Sequence, residues 1–231
     1  MKTSNKLLLI TTLIMFGYLV VYVYQLKAEY LKGDFRSRFY GMKYTDLGSF
    51  NKVEHRAGNM LSIQIEKGPK FGAWLRNGVA DKVAFTTKNN ALYIDLKDKN
   101  RMVYFESAII ITCPDLNSIS TTPILNTEAS LWSSARTYVR GFDQDSLSVT
   151  ADQHSEIELN KNVLNKLNAA TKASNATITV HNDNQIKSAA FNIQGKSDLK
   201  LFNNITNSSY NYTDSAAITL NGKVFRQFKQ Q

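Results

Sequence analysis

Ser155-Glu-Ile157-Glu-Leu159, Ala176-Thr-Ile178-Thr-Val180, Ser197-Asp-Leu199-Lys-Leu201 and Ala216-Ala-Ile218-Thr-Leu220 are four copies of one short pattern in the last third of the chain. Each sets a small residue and two aliphatic residues at alternate positions, as in a strand with one buried face. The middle aliphatic recurs after 21, 21 and 19 residues. A period that holds near twenty residues points to stacked repeats.

A second alternation precedes three of the copies: Val149 with Ala151, Phe191 with Ile193, and Tyr210 with Tyr212. Lys172 takes the equivalent place in the remaining copy, so a bulge or shifted bend is expected there. Strand, bend, strand, bend in about twenty residues predicts one coil of a parallel β-solenoid. Ile157, Ile178, Leu199 and Ile218 would then form one interior column, each burial worth roughly 1.5–3 kcal/mol. An antiparallel sandwich of short strands has similar spacing and is the competing reading. The near-constant period favours the solenoid.

The start of the chain differs in kind. Leu7 to Tyr24 is a run of 18 residues without a charge. As a helix it would be about 27 Å long, close to the hydrocarbon thickness of a bilayer. A cleaved signal peptide competes with an uncleaved anchor. The long apolar core and the poor small-residue site around Ala28 favour the anchor. Tyr22 and Tyr24 suit the interfacial belt at its end. Lys27, Lys32, Arg36 and Arg38 follow the span, against Lys2 and Lys6 before it. That count leans toward a cytoplasmic downstream part, but large domains translocate regardless of it. The expected topology is amino terminus inside and domain outside the cytoplasm, periplasmic or at the cell surface. The expected divisions are a transmembrane anchor at 1–26, a basic and aromatic juxtamembrane linker at 27–48, the solenoid at 49–222, and a polar basic tail at 223–231. Membrane lipid is the partner expected of the N-terminal helix.

The formal charge of +9 is uneven: 16 Lys/Arg against 8 Asp/Glu fall in the first hundred residues. Charge beside a membrane anchor explains the excess. No recognition helix or dense basic stripe supports nucleic acid as a partner. From Phe50 onward the chain reads as strands. Leu61 to Ile65 and Leu92 to Leu96 alternate, Asn89-Asn90 is a turn pair, and Ala108 to Thr112 suits a strand buried on both faces. Ala129 to Val139 reads as a short helix or irregular coil, and Asn162 to Ala170 is ambiguous.

A resemblance rests on these same residues. Phe50 and Val53, Ile63-Gln-Ile65 with Lys67-Gly68, Asn90-Ala-Leu92-Tyr-Ile94, and Ile109-Ile-Ile-Thr-Cys-Pro114-Asp-Leu116-Asn-Ser-Ile119 occur in that order before the repeats. The series resembles the head GIN domain family, adhesin-type heads of envelope proteins in Bacteroidetes-type bacteria. The resemblance spans about 50–222 and implies a β-solenoid without established catalytic residues. One departure is that only Gly195, before Ser197, matches a glycine common in the family's coils.

Little in the chain suggests catalysis. Cys113 is alone, so no disulfide within the chain is possible, and it reads as a buried structural thiol. His55, His154 and His181 are scattered, with no metal-ligand spacing, so no metal or cofactor is expected. Glu156 and Glu158 share a strand face, and acidic pairs on such faces serve polysaccharide-degrading enzymes. The other copies carry Thr177/Thr179, Asp198/Lys200 and Ala217/Thr219 there, so no acidic ladder builds and a solvated outer face is expected. The reading is a non-enzymatic, membrane-anchored envelope module that binds a protein or glycan or serves as a scaffold. No catalytic, cofactor-binding or metal residue is assigned. The alternatives are a carbohydrate-active enzyme on the same fold and, with reversed topology, a membrane-bound regulator.

Overall fold

The computed structural model shows buried and more exposed side chains alternating along many of the strands, while others are buried on both faces. It describes residues 2–33, 36–98, 108–125, 135–222 and 224–225. The chain divides into two compact units, Met1–Met42 and Lys43–Gln231.

The first unit is dominated by α1 (Thr3–Lys32), none of whose residues is buried. Gly33, at φ 71°, ends it with a left-handed cap whose N–H donates to Tyr30 O. The helix is about 45 Å long and carries an 18-residue window of mean hydropathy 2.2, enough to cross a membrane. A signal sequence would meet the same test. Thr11 and Thr12 turn their hydroxyls back to the carbonyls of Leu7 and Leu8, which satisfies two polar side chains inside the apolar run.

The second unit is all β. Its strands are β1 (Met42–Asp46), β2 (Lys52–His55), β3 (Ile63–Lys67), β4 (Gly72–Arg76), β5 (Val83–Lys88) and β6 (Ala91–Leu96). After residues 99–107 follow β7 (Ile109–Cys113) and β8 (Ser118–Thr121), then β9 (Arg136–Arg140), β10 (Asp143–Ala151), β11 (Glu156–Asn160) and β12 (Val163–Thr171). β13 (Thr177–Val180), β14 (Gln185–Ile193), β15 (Asp198–Leu201), β16 (Asn207–Tyr212) and β17 (Ala217–Leu220) complete it. They form a nine-stranded sheet, β1-β4-β7-β3-β9-β11-β13-β15-β17, and an eight-stranded one, β16-β14-β12-β10-β8-β2-β6-β5.

This corrects the expected parallel β-solenoid. The domain is two open sheets with mixed pairing, in which β4 runs antiparallel to β7 and β5 antiparallel to β6. The cause of the second pairing is local: Asn89 and Asn90 have φ 52° and 60°, the left-handed pair of a two-residue hairpin turn, which joins antiparallel strands. Strand order is also interleaved, with β3 between β7 and β9 and β2 between β8 and β6. The competing antiparallel sandwich does not describe it either, since most pairs are parallel.

Within that frame the repeat residues keep their register. Ile157 faces Ile178, Ile178 faces Leu199, and Leu199 faces Ile218 across successive parallel pairs. Ile157, Ile178 and Leu199 are fully buried. β7 is buried along its whole length, as its unbroken apolar run suggested. The irregular copy holds its ladder: Ala151 faces Thr171 in β12, and the additional residue lies in the bend, where Asn175 has φ 61°. β12 also resolves the ambiguity of 162–170. Of the 129–139 segment, 129–134 lie outside the described residues, and from Arg136 the rest belongs to β9, not to a helix. The tail expected at 223–231 lies almost wholly outside the described residues.

One corner is tied by a row of asparagines, of which Asn162 and Asn184 are buried. Asn162 Nδ2 donates to Val139 O at 3.0 Å, and Asn184 Nδ2 donates to Leu159 O at 2.7 Å. Asn184 Oδ1 accepts from the Asn162 N–H at 3.0 Å, and Asn221 Nδ2 reaches Phe202 O at 2.8 Å. These amides satisfy backbone groups that the bends would leave buried and unpaired.

Candidate functional surface on the nine-stranded sheet

The alternation that sends Ile157 and Leu159 inward sends Glu156 and Glu158 outward, and register then decides their neighbours. Arg136 lies beside Glu156, and Tyr138 beside Glu158, on β9. Thr177 and Thr179 flank them on β13, and Asp198 and Lys200 follow on β15. On the other side of β9, Gln64 of β3 is level with Tyr138 and Glu66 with Arg140.

These side chains form one charge network. Arg136 Nε stands 2.9 Å from Glu156 Oε2 and 3.3 Å from Glu158 Oε1. His181 Nε2 is 2.8 Å from Glu158 Oε2. Thr179 donates its hydroxyl to Glu156 Oε1 at 3.4 Å, and Lys200 Nζ lies 3.9 Å from the same oxygen. Arg136 is held above even the usual arginine range, first by a hydrogen bond with the Tyr138 side chain and then by the two carboxylates, while partial burial opposes them. Glu158 is only 11% exposed at its side chain, so the solvated face expected of this pair holds for neither charge nor contact. An outward position next to an arginine stem is still covered.

Beside the network lies a recess of about 310 Å³. Tyr138, Gln64 and Glu158 form its floor strands, and Arg140, Asn160, Lys161 and Asp183 surround them. Planar amide, guanidinium and phenol groups with both signs of charge suit a hydrogen-bonding polar ligand. Larger recesses, of about 530 and 410 Å³, lie on the eight-stranded sheet and are lined by Ser, Thr, Asn, Ala and Lys166 together with Phe191 and Tyr210. They offer more volume but, Lys166 and Tyr210 apart, no titratable group, whereas the smaller recess gathers Tyr138, Arg140, Glu158, Lys161 and Asp183 and is the better candidate.

The histidines separate completely. His55 is fully buried between the sheets, its Nδ1 3.0 Å from Thr137 Oγ1, and burial pushes its pKa down to about 3. His154 occupies a bend at φ 55°, and only His181 joins the outer network. Among the described residues no group of three His, Cys, Asp or Glu could hold a metal. Cys113 is buried, and its thiol is pushed up to about 12, chiefly by burial and then by Asp115. Arg136, Tyr138 and Arg140 were missed in the sequence. Ala135, Thr137 and Val139 do alternate inward, but two of the three are too weakly apolar to announce a strand.

No family model matches the sequence, the head GIN family included, and no curated protein matches it significantly. Solved structures do resemble it. A protein from Parabacteroides distasonis provisionally named an adhesin superposes with a TM-score of 0.58 at 15% identity, over 78% of this chain and 73% of that one. A Bacteroides fragilis protein of the same provisional name gives a TM-score of 0.44 at 15% identity, over 78% and 95%. At such identity the first likeness establishes a shared fold, and the second carries no further weight. The chain therefore has the fold of an adhesin-named protein of the Bacteroidetes.

Proposed function

We propose that this chain is a non-enzymatic binding module held to the membrane by α1, displayed outside the cytoplasm, and that it meets its ligand on the outer face of the nine-stranded sheet. The observation that carries this is the state of Glu156 and Glu158. Glycoside hydrolysis needs one carboxyl that holds a proton and another that is free to attack or activate water. Here both carboxylates face one guanidinium at 2.9 and 3.3 Å, with His181 and Lys200 on their remaining oxygens. Such a network fixes side chains for recognition and leaves no acid–base pair. The adhesin name of the structural neighbour fits the same reading. The ligand class that suits the recess is a polar chain rich in hydroxyl and carboxylate groups, an envelope glycan before a protein.

A glycan array probed with the purified chain tests the reading. Saturable binding that Tyr138→Ala and Arg140→Ala each weaken at least about tenfold, roughly 1.4 kcal/mol, is expected. Binding unaffected by both substitutions would remove the sheet face from the account. Protease treatment of spheroplasts, whose outer barrier is open and inner membrane intact, tests the display: a domain cleaved only after lysis would place it in the cytoplasm.

A further inference from the structure

The charges of the recess on the nine-stranded sheet are not balanced from within. Glu158 is buried and already held by Arg136 and His181. Glu66, level with Arg140 on β3, is 8% exposed and accepts from Gln64 Nε2 at 2.8 Å. Half-buried Arg140 and exposed Lys161 and Asp183 take part in no ion pair among the described residues. Two unpaired cations therefore share the recess with one unpaired carboxylate.

Lys161 is also held in an unusual backbone state. Its φ is 53°, in the left-handed region that L residues enter reluctantly. The other non-glycine residues there are Asn89, Asn90, Asn175 and His154, types that tolerate it well. Register places Lys161 level with Gly141, which turns the preceding bend at φ 77°. A glycine would make the same turn without strain. The turn sets Lys161 directly after Asn160, which faces Arg140 across strands about 4.8 Å apart. Strain that the turn itself does not need, at the lip of a recess, points to a use for the side chain.

We propose that Arg140 and Lys161 seat the carboxylate of an acidic sugar, an inference that rests on the recess being a glycan site. A guanidinium is a planar fork that meets a carboxylate through two parallel hydrogen bonds, and an ammonium adds a point charge of free direction. Asp183 accepts from the hydroxyls of the same sugar and repels further negative charge. A phosphate monoester, at about −1.5 to −2 near neutral pH, is therefore a poorer fit than a carboxylate. The carboxylate sets the specificity, and the hydroxyls add to it.

The full chain in detergent is titrated with a panel of uronate and sialate oligosaccharides. Each is paired with the same chain after its carboxyls are reduced to alcohols, and chains bearing a phosphate monoester are included. The wild type should prefer the acidic member of its best pair by about tenfold or more, and the preference should shrink in about 1 M salt. Arg140→Gln and Lys161→Met should each erase most of the preference and leave the reduced member bound about as before. Lys161→Gly should erase it as well, with a melting temperature no lower than that of the wild type, because glycine relieves the turn. Asp183→Asn should strengthen binding of the phosphate-bearing chains, and Lys166→Ala on the other sheet should change nothing. Equal binding of an acidic chain and its reduced form, lost in Tyr138→Ala, overturns the proposal and leaves the glycan reading standing. A preference that survives both Arg140→Gln and Lys161→Met overturns it too, by placing the anion elsewhere. Absence of binding to every chain, acidic or neutral, removes the glycan reading and the proposal with it.

Discussion

Arg136 and Glu158, 22 positions apart on neighbouring strands, meet at 3.3 Å on the outer face of the nine-stranded sheet. Glu156 shares the same guanidinium at 2.9 Å. Because the Arg136 side chain is 40% exposed, screening limits what the contact contributes. Arg136→Ala is expected to lower stability by about 1 kcal/mol. The loss should shrink in about 1 M salt, where the Debye length falls to about 3 Å. Denaturant melts of both proteins at two salt concentrations measure it; a loss independent of salt would mean that packing, not charge, holds the group.

The interior column offers the sharpest contrast in stability. Leu199 is fully buried between Ile178 and Ile218, whereas Lys200, one residue on, points outward at 41% side-chain exposure. Leu199→Asp loses roughly 1.5–3 kcal/mol of burial and adds the cost of desolvating a carboxylate, against a total stability of about 5–15 kcal/mol. The last strands should unfold or loosen badly. Lys200→Gln should change stability by about 0.5 kcal/mol or less. Equal effects in denaturant melts would contradict the register.

Acid should act through His55. Its pKa falls from 6.5 to about 3 on folding because the buried ring cannot carry a charge. Between those two values the unfolded chain binds a proton that the folded one excludes, so stability is complete above about 6.5 and falls as pH drops. The slope approaches about 1.4 kcal/mol per pH unit within that window. His55→Gln, which keeps a partner for Thr137, should lose less stability than the wild type between pH 6.5 and 4. Parallel pH profiles would show that His55 is not the group responsible.

Cys113 should be inert while the domain is folded. Its thiol is buried and pushed up to about 12, and only the thiolate reacts. A disulfide exchange reagent at pH 8 should label it only after denaturant is added. Rapid labelling of the native chain would place that end of β7 in an open state.

The parts of this fold that could be read from the sequence are those where one face is apolar and the other is not. Ile157, Ile178, Leu199 and Ile218 kept their register because a one-residue slip would turn them all to solvent. Asn89-Asn90 marked its turn for the equally local reason of left-handed backbone. Partner choice was not local: nothing in Gly72–Arg76 says that it lies antiparallel on β7, and that pairing broke the expectation of a uniform solenoid. The outer network was hidden for a related reason. Glu156 and Glu158 were visible, but Arg136 sits 20 residues earlier on a strand whose inward residues are Ala135, Thr137 and Val139. The corner asparagines Asn162, Asn184 and Asn221 are joined by Asn203, whose amide donates to Asn184 O; the four recur at 22, 19 and 18 residues, a spacing that the reading of the aliphatic positions passed over.

The measurement closest to the central claim is the chain length of a bound polysaccharide. The purified chain is incubated with an envelope glycan that it retains, and the glycan is recovered and sized by mass spectrometry. Retention without shortening, lost in Tyr138→Ala and kept in Lys166→Ala on the other sheet, is the predicted result. Shortening that survives purification and disappears in a Glu156→Gln/Glu158→Gln variant would contradict the account and make this face an active site.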